Sequence, residues 1–146
     1  MSNETRRILL VEDEKAIRDA VTAYLERENY WVTAVGDGQE ALEEFSKHHF
    51  DLVILDLMLP RVPGERVCRA IRDAKPAKRP LLLCMENSAE ISALVREGEV
   101  ACAVSADHAE QGRLALRLLF EHLVYERTPE ENEICTPTVV TIAENA

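Results

Sequence analysis

Short apolar runs alternate along this chain with stretches that have helical spacing, and this alternation constrains the fold more than any other feature. The apolar runs predict five strands, at residues 8–11, 31–35, 52–55, 81–85 and 100–104. Between them, apolar residues recur every three or four positions, which is the spacing of an amphipathic helix. Strands that alternate with helices are joined by right-handed crossovers and form a parallel sheet.

The helices are predicted around residues 17–25, 41–45, 64–74, 88–97 and 107–125. Several strands are apolar at every position, which is typical of strands covered by helices on both faces. We therefore predict an α/β fold, a flavodoxin-like, doubly wound, five-stranded parallel sheet. Its expected strand order is 2-1-3-4-5, with helices on both faces.

The predicted domain comprises residues 1–126, and residues 127–146 form a C-terminal tail or linker. This segment begins with polar residues and then contains Val139, Val140 and Ile142. Two interpretations stay open at this point: a linker without a partner, or an added edge strand, which a neighbouring molecule could also receive.

The charge balance excludes several classes of partner. Asp and Glu number 27 against 17 Lys and Arg, for a net charge of −10. Such a chain is a poor ligand for nucleic acid or for an anionic membrane surface, because both carry negative charge. It suits a divalent cation or a basic partner. No apolar run approaches the ~18–20 residues of a membrane span, and the wide spacing of the cysteines favours a cytoplasmic location. The four cysteines lack C-x-x-C and zinc-finger spacing, and are expected to be reduced thiols rather than zinc ligands.

Three acidic residues stand where predicted strands end. Glu12 and Asp13 directly follow the first strand, and Asp56 ends the third. These strands are neighbours in the expected order, so the three carboxylates would meet at one rim of the sheet. Carboxylates that lie so close together stay ionised only with a positive charge among them. Mg²⁺ or another divalent cation usually supplies this charge. The backbone carbonyl of Met58 could complete the ligand set. The alternative is that these acids occupy strand ends because strand ends are solvated.

The same segments resemble a known family. Residues 8–14, 36–42 and 51–60 are similar to the receiver domain of bacterial two-component response regulators, and the similarity extends from about Arg7 to Ile71. The resemblance implies a phosphorelay protein rather than an enzyme. A histidine kinase or phosphotransfer protein would phosphorylate Asp56, with Glu12 and Asp13 holding Mg²⁺. If the chain works as an interaction module, the fourth helix, fifth strand and fifth helix are the expected surface for a partner or for a second copy in a homodimer.

The second half departs from the family pattern. The position of the usual Thr or Ser is Met85, followed by Glu86, and the position of the usual lysine is Ser105. Cys102 replaces the aromatic residue expected in the fifth strand. Methionine cannot donate a hydrogen bond to a phosphoryl oxygen. Candidate substitutes for the lost donors and charge are Asn87, Ser88, Ser105 and Arg61.

Two hypotheses of different classes follow. The first is an atypical receiver domain that accepts phosphate on Asp56 with Mg²⁺. The second is a pseudo-receiver, a protein–protein interaction module that works without phosphorylation. An aspartyl phosphatase is disfavoured, because such sites generally need a second Asp two residues after the nucleophile, where this chain has Met58.

Overall fold

The computed structural model describes residues 5–74, 79–127 and 137–143. The strands in these ranges are β1 (Arg7–Val11), β2 (Trp31–Val35), β3 (Leu52–Asp56), β4 (Leu81–Met85), β5 (Cys102–Ala106) and β6 (Thr138–Thr141). The helices are α1 (Lys15–Arg27), α2 (Gly38–Lys47), α3 (Gly64–Asp73), α4 (Ala89–Arg96) and α5 (His108–Tyr125). The chain forms two compact units, residues 1–104 with 141–146, and residues 105–140.

The sheet order is β2-β1-β3-β4-β5-β6. The pairs β1–β2, β1–β3, β3–β4 and β4–β5 are all parallel. The α/β class and the order 2-1-3-4-5 predicted from the sequence are therefore confirmed. Val11 lies opposite Leu55 in the β1–β3 pair, and this register brings the carboxyl ends of these two strands to the same rim.

The core of the larger unit is built on β1 and β3. Residues 8–11 are buried at every position, as expected for a central strand covered on both faces. Val53 and Leu55 of β3 are also fully buried. A rigid apolar layer thus lies directly behind the rim on which the acidic residues stand.

Two glycines allow the loops at this rim to pack closely. A Cβ atom at Gly64 would lie 2.5 Å from the carbonyl oxygen of Asp56, and a Cβ atom at Gly38 would lie 2.2 Å from that of Val62. The amide of Gly64 donates to the carbonyl of Leu57 at 3.0 Å. The loop after β3 therefore returns tightly against the end of that strand.

The fifth strand begins two residues later than the sequence predicts, at Cys102 rather than Val100. The amides of Glu99 and Val100 both donate to the carbonyl of Leu94, at 2.9 and 3.2 Å. These residues therefore complete the end of α4 instead of pairing in the sheet. Val100 is nevertheless buried. The apolar run therefore predicted the burial of this residue correctly, but it did not predict where the strand begins.

The smaller unit contains α5 and most of β6. The side chain of Asp107 caps α5 by accepting from the amide of Glu110 at 2.9 Å. The amide of Asp107 donates to the carbonyl of Pro137 at 3.2 Å, just before β6. This strand lies in the segment for which the sequence left a linker and an added strand open. Within the described ranges, none of the helices has the length and apolarity needed to cross a membrane.

Candidate functional site

Three carboxylates converge at the rim formed by the ends of β1 and β3. Glu12 and Asp13 follow β1 directly, and Asp56 is the last residue of β3. One carboxylate oxygen from each residue lies within 4.8 Å of the others. They come together because β1 and β3 are adjacent and parallel, so residues 44 positions apart in sequence end on the same edge.

Glu12 is buried, with 5% of its surface exposed. Burial raises the pKa of the Glu12 carboxyl, and the negative charges of Asp56 and Asp13 raise it further, against a hydrogen bond from the backbone of Glu14 that lowers it. That bond joins the Glu14 amide to Oε1 of Glu12 at 3.0 Å. The charged form of Glu12 is thus less favourable in the protein than in water, and a cation would favour it.

Asp56 is held in place by the loop that follows it. The amide of Met58 donates to Oδ1 of Asp56 at 2.9 Å, which sets the orientation of the carboxylate. Met58 is 78% exposed and lines the same cavity as the three acids. Asp56 is only partly buried, so a reagent from solvent can reach it.

The donor set fits a hard divalent cation. All three side chains offer carboxylate oxygens, and Mg²⁺ usually binds one or two carboxylates while keeping several waters. The cavity in front of them has a volume of about 360 Å³, which is room for an ion, its waters and a phosphoryl group. Among the described residues, Glu12, Asp13 and Asp56 form the group of side chains that lie close enough together to bind one metal ion.

Of the four positions at which the sequence is predicted to depart from the family it resembles, two border this cavity. Met85 lies opposite Asp56 in the β3–β4 pair, and Met85 and Glu86 both line the cavity. The amide of Glu86 donates to the carbonyl of Val104 at 2.7 Å, with Glu86 in a left-handed conformation (φ 84°). Cys102 lies opposite Leu83, further back along β4. Ser105 is the first residue of the smaller unit.

Three of the four substitutes considered from the sequence have other partners. Arg61 forms ion pairs with Asp37 and Glu40. Asn87 Nδ2 donates to Thr141 Oγ1 at 3.2 Å. Ser88 Oγ accepts from the amide of Ile91 at 3.2 Å and caps α4. Each of these groups is therefore engaged in holding a loop or a helix end.

Sequence reasoning missed Arg18. Its Nη1 donates to the carbonyl oxygens of Glu12 at 2.5 Å and of Asp13 at 3.1 Å. Long side chains on a helix point back toward its N-terminus, so an arginine in the first turn of α1 can reach the end of the preceding strand. That direction is the one signal from which the contact could have been anticipated.

Comparison with known proteins gives a consistent picture. The family model described as "Response regulator receiver domain" matches residues 8–118. The transcriptional regulatory protein ResD of Bacillus subtilis is 46% identical over 74 residues, which are 51% of this chain and 30% of that protein. The chain spans only about a third of the length of the first curated relatives that it matches.

Solved structures agree with this result. The response regulator TrrA of Thermotoga maritima, in complex with Mg(2+)-BeF, has a TM-score of 0.60 and 28% identity, covering 77% of this chain and 99% of that one. A receiver domain of a Pseudomonas aeruginosa sensor histidine kinase has a TM-score of 0.54 and 29% identity, covering 58% and 70%. That domain was solved with a magnesium ion coordinated in its active-site cleft.

Proposed function

This chain belongs to the response regulator receiver domain family of two-component signalling, and we propose that it accepts a phosphoryl group on Asp56 with the help of a divalent cation. The observation that carries this proposal is the convergence of Glu12, Asp13 and Asp56, whose carboxylate oxygens lie within 4.8 Å of one another. Mg²⁺ is the cation that best suits this oxygen donor set.

The reaction is the transfer of a phosphoryl group from a phosphohistidine. A carboxylate oxygen of Asp56 forms the new bond to phosphorus while the bond from phosphorus to the histidine nitrogen breaks. The released nitrogen takes up a proton from solvent. The donor would be a histidine kinase or a phosphotransfer protein.

The residues of this chain position and expose the nucleophile. The Met58 amide fixes the Asp56 carboxylate, and the partly open cavity admits the donor. Glu12 and Asp13, with the carbonyl of Met58 as a further donor, would hold the cation beside Asp56. When bound, the cation supplies neutralisation of the charge on the transferring phosphoryl oxygens.

The phosphorylated state should be less stable than in a receiver with the usual residues. Met85 contributes no donor to the cavity, and the sequence contains no lysine after Lys78. A hydrogen bond to a charged group contributes about 1.5–3 kcal/mol. We therefore expect transfer to Asp56 with a lower steady-state level of phosphorylation.

The test is an intact-mass measurement after incubation with Mg²⁺ and acetyl phosphate. The expected result is a mass increase of one phosphoryl group in the wild type and none in Asp56→Asn. Asp19→Asn, which changes an exposed carboxylate of α1, is the matched control and should keep the adduct. An adduct that persists in Asp56→Asn would contradict the assignment of the acceptor.

A second candidate function is favoured by one observation, the presence of Met85 and Glu86 on the cavity wall where a hydroxyl donor is usual. On that view the chain is a pseudo-receiver that binds its partner without phosphorylation. Wild-type protein that binds Mg²⁺ but gains no phosphoryl group from acetyl phosphate or from a kinase would support this second function over the first.

A further inference from the structure

We propose that Arg18 is a positioning residue for the cation site, holding the Glu12–Asp13 backbone so that both carboxylates face Asp56. This inference rests on the proposed binding of a divalent cation at these carboxylates. It concerns a residue whose hydrogen bonds go to backbone carbonyl oxygens and not to the three carboxylates.

The contacts of Arg18 are to the backbone of the two ligand residues. Its Nη1 donates to the carbonyl oxygen of Glu12 at 2.5 Å and to that of Asp13 at 3.1 Å. The amide of Glu12 donates to the carbonyl of Val35 at 3.1 Å. The peptide units on both sides of Glu12 are therefore fixed, one by the neighbouring strand and one by the guanidinium group.

The guanidinium group is itself confined. Arg18 is half-buried on α1, and its Nη1 lies 3.4 Å from the position that a Cβ atom at Gly36 would occupy. Arg18 thus fits between the loop after β1 and the turn after β2. A side chain held from several directions loses less freedom when a ligand binds, so it can act as a pre-formed support.

The electrostatic consequence is specific to this arrangement. A guanidinium group stays protonated at all relevant pH values, so it places a permanent positive charge against the backbone carbonyls of Glu12 and Asp13. Because its hydrogen bonds go to carbonyl oxygens, Arg18 occupies no carboxylate oxygen of the cluster. Arg61 differs, since its charge is paired with Asp37 and Glu40.

Outer groups that orient metal ligands typically change metal affinity by about 10–100-fold when they are removed. We therefore expect Arg18→Met to weaken cation binding by at least about tenfold. Arg18→Lys keeps the charge and one donor position, so it should recover part of the affinity. Arg18→Gln keeps a hydrogen-bond donor without the charge. It therefore separates the contribution of the hydrogen bonds from that of the charge.

The experiment is a titration of the metal-free protein with Mn²⁺, with free Mn²⁺ read by its electron paramagnetic resonance signal. Arg27→Met is the matched control, since Arg27 is an exposed arginine of the same helix that lies over the ring of Tyr24. It should bind Mn²⁺ with the wild-type Kd. Urea unfolding of each variant without metal measures stability separately, and all titrations are made well below the melting temperature.

The outcomes separate this inference from the proposed function. A weaker Kd in Arg18→Met with partial recovery in Arg18→Lys supports the positioning role. A wild-type Kd in Arg18→Met, with or without a loss of stability, overturns it while leaving the proposed function intact. If Arg18→Met does not fold, a wild-type Kd in both Arg18→Lys and Arg18→Gln overturns it equally. A wild-type protein that binds no Mn²⁺ contradicts the proposed function itself, and this inference with it.

Discussion

Met85 lies directly opposite Asp56 in the parallel pairing of β3 and β4, and both residues line the acidic cavity. The strand position next to the proposed phosphoacceptor therefore holds a thioether rather than a hydroxyl group. Methionine at position 85 could therefore weaken the phosphorylated state although all three residues of the acidic cluster are present.

Met85→Thr is expected to increase the fraction of protein phosphorylated on Asp56. The new hydroxyl group would donate to a phosphoryl oxygen, a charge-assisted bond that contributes about 1.5–3 kcal/mol. The measurement is the intact-mass adduct and its decay after removal of acetyl phosphate. Leu81→Thr, at the exposed opposite end of β4, is the control and should not change the adduct. Equal decay rates in Met85→Thr and the wild type would contradict the expectation.

Glu12→Gln is expected to stabilise the metal-free protein at neutral pH. The pKa of Glu12 is raised above its ordinary value of 4.5 by burial first and by nearby acids. The folded state therefore holds this proton more tightly than the unfolded state does. The contribution of Glu12 to the free energy of unfolding is present at low pH and declines as the pH rises from about 4.5 through the raised pKa.

The check for this prediction is urea unfolding in a metal chelator between pH 4 and 8. The wild-type free energy of unfolding should fall with rising pH more steeply than that of Glu12→Gln. Glu26→Gln, on the exposed side of α1, should follow the wild-type curve. Identical slopes for Glu12→Gln and the wild type would refute a raised pKa at this position.

Two glycine substitutions are expected to change stability in opposite directions. The Cβ atom of Gly64→Ala would meet the Asp56 carbonyl oxygen and the Leu57 Cα, both at 2.5 Å, so backbone must move at a cost of at least about 1–3 kcal/mol. Gly112 lies inside α5, and apart from the backbone of α5 itself no atom of the described residues lies within 4 Å of such a Cβ, so Gly112→Ala should stabilise by about 0.5–1 kcal/mol. Thermal unfolding of both variants measures the difference, and a neutral Gly64→Ala would count against the close loop packing.

The thiols are expected to react at different rates in the folded protein. Cys68 and Cys84 are buried with their Sγ atoms 3.6 Å apart, whereas Cys102 is partly exposed. The hydrogen bond with Cys68 and then burial raise the pKa of the Cys84 thiol, so little of the reactive thiolate is present. Iodoacetamide labelling followed by peptide mass mapping should modify Cys102 before Cys68 and Cys84. Faster labelling of Cys84 than of Cys102 would show that the pair is accessible.

The order of strands and helices could be predicted from the sequence because its signals are local. Apolar runs and helical spacing act over a few residues and are written directly in the chain. The failure at β5 has the same origin, since the apolar character of Val100 reports its burial and not which partner its amide takes. Whether residues 99–100 pair in a sheet or close a helix depends on the carbonyl of Leu94.

The sequence by itself determined that acidic residues would stand at the ends of two neighbouring strands. Only the tertiary structure decided how close Glu12, Asp13 and Asp56 come, that Arg18 binds the backbone between β1 and α1, and that Arg61 pairs with Asp37. Periodicity places a residue on an element, because it follows from backbone geometry. The partner of a long charged side chain depends on which groups distant segments bring within its reach, and this is set when the elements pack.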